Sequence, residues 1–144
     1  MILLDANILL YTHNASSTHH LESKKWIEKA MDRQEEIGLA WITILAFLRL
    51  ATNPAVYTAP LSVKEATGII DAYLSRSHVL IVHPTNEHWK ILSDLVRDTQ
   101  SNRHLVSDAH LAALAMEHNA AICTNDRDFQ RFKGIKILDP LRKT

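Results

Sequence analysis

The opening residues Met1-Ile2-Leu3-Leu4-Asp5-Ala6-Asn7 decide how the rest of the chain is read. A short apolar run, Ile2 to Leu4, stops abruptly at an acid followed by a small residue and an amide, the composition of a strand that runs into a polar turn. Two later stretches have related chemistry. The apolar run Ala120 to Thr124 leads into Asn125-Asp126-Arg127-Asp128, and Ser107-Asp108-Ala109-His110 opens a helical pattern. An open α/β sheet builds its binding crevice outside the carboxyl ends of its strands. Acids at these boundaries therefore point to one shared crevice.

Outward from that first strand, periodicity switches repeatedly between short apolar runs and helical spacing. A helix is expected from about His19 to Arg33, a strand over Ile37 to Ile42, and then a helix capped by Thr43 that stops at Asn53-Pro54. Ser62-Val63-Lys64-Glu65 is a capping-box pattern that starts another helix. Val79 to Val82 reads as a strand, and Trp89, Leu92, Leu95 and Val96 mark the inner face of the helix after it. Gln100 to Arg103 is a turn, Ser107 an N-cap for a helix Asp108 to His118, Asp128 to Phe132 a short helical turn, and Ile135 to Leu138 a last strand. Alternation of this kind predicts a three-layer α/β/α sandwich around a mostly parallel, roughly five-stranded sheet, with residues 1–144 as one domain.

Composition excludes several classes. The 144 residues are 47% hydrophobic and 22% charged, which argues against disorder and against a membrane span. Sixteen basic residues balance sixteen acidic ones, so a polynucleotide would have to be met by a local basic patch rather than by an overall field. Arg49, Arg97, Arg103 and Arg127 are the candidate phosphate contacts. The single cysteine, Cys123, lies in an apolar run and reads as a buried hydrophobe. With strand-like sequence from Ile2 onward and no basic leader, a cytoplasmic protein is expected.

Carboxylates that converge at one crevice repel one another and call for a cation. Mg²⁺ takes oxygen ligands and usually leaves room for water and substrate phosphates, so phosphate-ester chemistry follows. Asp5, Asp108 and Asp126 are the candidate catalytic residues and metal ligands, with Asp128 a further candidate ligand; Asn7 and Thr124 would support them by hydrogen bonds. Each also has a plainer role: Asp5, Asn7, Asp126 and Asp128 as turn and cap residues, Asp108 as an acid at a helix N-terminus. His13, His19 and His20 fit no metal-ligand spacing and read as solvated residues at a helix start, while Trp26, Trp41 and Trp89 read as core.

The blocks Leu3-Leu4-Asp5-Ala6-Asn7-Ile8-Leu9-Leu10-Tyr11, Asp108-Ala109-His110-Leu111-Ala112-Ala113-Leu114-Ala115 and Thr124-Asn125-Asp126-Arg127-Asp128-Phe129 resemble the PIN domain, in particular VapC-type toxins of bacterial toxin–antitoxin pairs. The segment Ile44 to Pro54 is similar to one subgroup of these toxins. The resemblance covers nearly the whole chain. It implies an endoribonuclease that uses Mg²⁺ or Mn²⁺, acts on RNA to leave 5′-phosphate and 3′-hydroxyl ends, pairs as a homodimer and is neutralised by a small antitoxin.

The chain departs from the family pattern at Ala46-Phe47, near where PIN nucleases usually carry a glutamate. That departure favours one metal over two and proposes Glu22, four residues before Trp26, as a substitute acid on the packed side of its helix. Two other classes stay open. A non-catalytic PIN-like module would bind RNA or protein without cleavage. An aspartyl-nucleophile phosphotransferase or phosphatase would also place Asp5 after the first strand, though Asn7 stands where its second acid belongs.

Overall fold

A computed structural model of the chain describes residues 1–99 and 103–142, with Arg103 described by its backbone only. Five strands, β1 (Ile2–Leu4), β2 (Ile37–Ala40), β3 (Val79–Val82), β4 (Ala121–Cys123) and β5 (Lys136–Leu138), form one sheet in the order β3-β2-β1-β4-β5, and every pairing is parallel. The chain works outward from β1 to β2 and β3, then returns to the other side of β1 for β4 and β5. The strand order thus reverses between β1 and β4, the topological switch point at which such sheets open a crevice.

Helices α1 (Ala6–Thr12), α2 (His20–Asp32), α3 (Trp41–Ala51) and α4 (Val63–Leu74) cover one face, and α5 (His88–Asp98) and α6 (Val106–Glu117) cover the other. Side chains alternate along the strands as the pleat requires. Leu4 and Cys123 join Ile8, Leu9, Phe47 and Tyr73 in one core, while Leu3 and Ile122 join Leu95, Leu111, Leu114 and Phe129 in the second. Each fully buried Leu, Ile or Phe contributes about 1.5–3 kcal/mol of hydrophobic stabilisation. Ser62 and Glu65 form the expected capping box at the start of α4.

Several local expectations need correction. A helix, α1, begins directly after β1, with the Asp5 side chain accepting from Ala6 N as its N-cap. Sequence periodicity assigned nothing between Leu4 and His19; Ile8-Leu9-Leu10 lies in this helix, the first part of the crossover that a parallel strand requires. Strand β2 ends at Ala40, not Ile42, and α3 starts at Trp41 with no side-chain cap. Thr43 is buried within α3 and spends its hydroxyl on Leu4 O at 3.0 Å, tying the helix to the end of β1. Ser107 is not a cap either: a 3-10 turn, Arg103–Leu105, leads straight into α6, which leaves Ser107 and Asp108 in its first turn. The expected turn at Gln100 to Asn102 lies outside the described residues. Trp41 is 50% and Trp89 73% exposed, so neither belongs to the core; Trp26 only flanks it.

Gly38 sits at the centre of the sheet because nothing larger fits. A Cβ there would meet Leu3 Cδ2 at 2.4 Å and Val82 Cγ2 at 2.6 Å, both on neighbouring strands. Gly38→Ala is expected to lower stability by about 1–3 kcal/mol through overpacking, read as a lower denaturant midpoint with an unchanged m-value. An unchanged midpoint would show that β1 and β3 yield freely at this point.

Candidate metal centre

The sheet delivers the acids to its switch point one strand end at a time. Asp5 follows β1, and its amide still donates to Cys123 O at 3.0 Å, so the turn leaves the sheet laced to β4. Its carboxylate is fixed at both oxygens, Oδ1 accepting from Ala6 N and Oδ2 from the Thr124 hydroxyl, each at 2.7 Å. Thr124, 1% exposed, follows β4. Its hydroxyl gives its one proton to Asp5 and accepts from Asp126 N at 3.0 Å and from Asn7 Nδ2 at 3.4 Å. That uses all the bonding capacity of a hydroxyl and fixes which way the Asn7 amide points. The Asn7 Oδ1 atom is consequently left buried without a partner. Asp126 caps the 3-10 turn Arg127–Arg131, its Oδ1 accepting from Asp128 N at 2.9 Å while Oδ2 remains available.

Asp108, Asp126 and Asp128 converge: each offers a carboxylate oxygen within 4.8 Å of the others. Asp5 stands outside this tight group but close enough for its charge to be felt. Of the four sequence candidates the sheet thus brings all to one place, with Asp128 exposed at the rim. The charge is poorly compensated. Among the described residues Asp5, Asp108 and Asp126 make no ion pair, and Asp128 has only Arg131 at 3.7 Å, an exposed contact of small value. Burial, then the charges of Asp126, Asp5 and Asp128, push the Asp108 carboxyl up to about 7. Burial also raises Asp5, against the hydrogen bonds from Thr124 and Ala6 that lower it.

A hard divalent cation fits this donor set. All the converging atoms are oxygens, their negative charge lacks a protein counter-charge, and a buried amide oxygen on Asn7 adjoins them unpaired. Two clefts flank the acids. One of about 380 Å³ is lined by Asp5, Thr43, Ala46, Arg49 and Asp108, the other, of about 520 Å³, by Glu22, Asn125, Arg127, Asp139 and Arg142.

Other sequence candidates are placed elsewhere. Glu22 is exposed, because Ser23, Ile27 and Ala30 form the packed side of α2; it faces the second cleft rather than the acids. Phe47 is fully buried, and Ala46 lines the first cleft without a polar atom to offer. His13 is not solvated: it is half-buried between Phe47 and Tyr73, bonded to the Tyr73 hydroxyl at 2.8 Å, and burial lowers its pKa to about 4. His20 bonds Tyr11 O at 3.0 Å and His19 packs on the Tyr11 ring. Arg97 pairs with Asp94 on the exposed side of α5 and lines neither cleft, and the Arg103 side chain lies outside the described residues. Sequence reasoning missed Tyr11, whose hydroxyl reaches Asn125 Oδ1 at 3.4 Å. It also missed Asp139, which follows β5 as Asp5 follows β1.

The chain belongs to the PIN-domain family: the PIN domain model matches residues 2–135. Ribonuclease VapC37 of Mycobacterium tuberculosis is 40% identical over 140 residues, covering 97% of each chain. Ribonuclease VapC43 of the same species is 33% identical over 141 residues, covering 98% of this chain and 96% of its own. In fold, the chain is similar to the VapBC2 structure from Rickettsia felis, solved bound to a DNA fragment from its promoter, with a TM-score of 0.69, 17% identity, and coverage of 96% of this chain and 98% of that one.

The raised Asp108 carboxyl has a consequence for the metal-free protein. Between its ordinary value of 3.8 and about 7 the folded state holds a proton that the unfolded state has released, so stability falls as pH rises through that window. Asp108→Asn removes the effect, and its stability advantage over the native chain should grow with pH across the window and level off above it. The advantage should be on the order of 1 kcal/mol after solvent screening. Chemical denaturation in EDTA measures it; a pH-independent difference would contradict the electrostatic account.

Proposed function

We propose that the chain is a divalent-metal-dependent endoribonuclease and the toxin of a toxin–antitoxin pair. The observation that carries the proposal is the convergence of Asp108, Asp126 and Asp128 beside Asp5 at the switch point of a PIN-domain sheet. Similarity to VapC ribonucleases over almost the full length of both chains supports RNA as the substrate and a small antitoxin as the partner. The same family membership sets aside the aspartyl phosphotransferase alternative. Exposed Trp41 and Trp89 offer apolar surface for the antitoxin or for a second copy in a homodimer.

Asp5, Asp108 and Asp126 are the proposed residues that would hold Mg²⁺ or Mn²⁺, with Asp128, exposed at the rim of the group, as a further ligand. The bound cation would supply Lewis-acid stabilisation to a phosphodiester and lower the pKa of water beside it. Asp5, immobilised by Ala6 N–H and the Thr124 hydroxyl, orients the acidic centre rather than following the substrate. Asp126 keeps Oδ2 free toward the crevice while its Oδ1 is committed to the Asp128 amide. In-line attack by water, with the 3′-oxygen leaving, yields 5′-phosphate and 3′-hydroxyl ends. Arg49 lines the cleft next to Asp5 and Asp108, placed to attract a phosphate across carboxylates that would repel it.

Asp5→Asn, Asp108→Asn and Asp126→Asn should each cut cleavage by at least about 10²-fold without unfolding, and Asp128→Asn should do less. Activity should vanish in EDTA and return with Mg²⁺ or Mn²⁺, with 5′-phosphate ends detected by ligation. Cleavage that survives EDTA and leaves cyclic phosphates would move the chemistry to a histidine. RNA retained but never cut, in the presence of either metal, would favour the binding-module alternative that Ala46 and Phe47 keep open. Expression without antitoxin should arrest bacterial growth, and full growth with soluble toxin present would count against the toxin role.

A further inference from the structure

The larger cleft lies at the carboxyl ends of β4 and β5, lined by Asn125 and Arg127 after β4 and by Asp139 after β5, and it is separate from the cleft that Arg49 lines. At about 520 Å³ it is within the size range of small-ligand sites, enough for one nucleotide. Its position relative to the acids is defined by sequence neighbours: Asn125 and Arg127 line it, and Asp126 between them belongs to the acidic group. Arg127 and Arg142 are exposed on the wall of the larger cleft, and among the described residues neither is engaged in an ion pair. Both guanidiniums are available to an incoming anion.

The same wall carries acceptors. Asp139 accepts from Leu141 N through Oδ1 at 2.9 Å, which orients the carboxylate and leaves Oδ2 without a partner. Glu22 reaches the cleft from the first turn of α2. His19 lines it too, its ring held at 4.9 Å from that of Tyr11. An acidic peptide would meet two carboxylates here. A nucleotide is complementary to the mixture, because its phosphate seeks arginine while the amino group of its base seeks a carboxylate.

We propose that this cleft is a nucleotide subsite next to the scissile phosphate, in which Arg127 and Arg142 hold a phosphate of single-stranded RNA and Asp139, with Glu22, accepts from the exocyclic amino group of its base. The proposal rests on the nuclease reading above and deepens it. It assigns a preference for adenine, cytosine or guanine over uracil, which has no exocyclic amino group, at one position beside the cut. His19 provides a flat face against which that base stacks.

The test uses the full chain, a randomised pool of single-stranded RNA and Mg²⁺, with cleaved ends sequenced and KM and kcat measured on a preferred substrate. Arg142→Ala should raise KM by about 10-fold and leave kcat within about twofold, as expected for a group that binds substrate and transition state alike. Asp139→Asn preserves the bond to Leu141 but can also donate, so it should admit uracil at the selected position, relaxing discrimination by about 5- to 10-fold. Glu22→Gln should relax it less. Unchanged KM and base preference in an actively cleaving Arg142→Ala and Asp139→Asn pair would overturn the subsite while leaving the nuclease intact. Variants that cleave RNA normally but escape inhibition by the antitoxin would assign the cleft to the protein partner and likewise overturn it. Filter binding of the same pool separates the two proposals: an intact chain that never cleaves, yet selects RNA with a base preference lost in Asp139→Asn, would overturn the nuclease and keep the subsite.

Discussion

Repulsion among Asp5, Asp108, Asp126 and Asp128 is the constraint around which the carboxyl edge of the sheet is built. Left free, these side chains would rotate apart into solvent, and two of them, Asp5 and Asp126, are held by hydrogen bonds to the turns that carry them. The Thr124 hydroxyl is the central tie, because it is buried and saturated: it bonds Asp5, the Asp126 amide and Asn7 at once. Parallel pairing of β1 with β4 sets the distance between Asp5 and Thr124, and the Thr43 bond to Leu4 O anchors α3 against the same strand end. The repulsive centre is thus stabilised by burial elsewhere, in two cores that share only the central strands.

The parts of this design that were legible in sequence are those where one local signal has one physical outcome. The run Ile2 to Leu4 before Asp5 marked a strand end, the Ser62–Glu65 capping box marked a helix start, and the apolar run Val79 to Val82 marked a strand. The convergence of the acids was legible because strand ends and the helix starts beside them face a common crevice in an α/β sheet. Helix α1 was not found, since seven residues offer too few turns for a clear period and its cap, Asp5, had already been given a chemical role. Thr43 and Ser107 misled for a related reason: both are good capping residues, but tertiary contacts recruited Thr43 to Leu4 O and a 3-10 turn started α6 one residue before Ser107. Trp41 and Trp89 were misplaced because large apolar side chains predict burial somewhere, not burial within the same chain.

Phe47 gives a physical reason for the departure from the family's acidic pattern. Its ring is fully buried, packs on His13 and closes the core beneath α1 and α3. A carboxylate there would be buried in the apolar core with Ile8 and Leu9, a cost of several kcal/mol per buried ion unless it is paired. Its neighbour Ala46 gives the first cleft no carboxylate, and Arg49 is the charged group that α3 contributes to that wall.

The acidic centre is displaced as a result. With nothing acidic from α3, the tight group consists of Asp108 and the two acids of the β4 turn, Asp126 and Asp128, while Asp5 stands slightly apart. Negative charge is therefore concentrated toward β4, on the side where Arg127 and Arg142 flank the larger cleft. A phosphodiester approaching the acids meets Arg49 in the first cleft, and Arg127 and Arg142 in the larger one, where Glu22 and Asp139 stand beside them. Arginines set beside carboxylates at the carboxyl ends of β4 and β5 give that edge both signs of charge, whereas α3 contributes Arg49 and no acid to the first cleft.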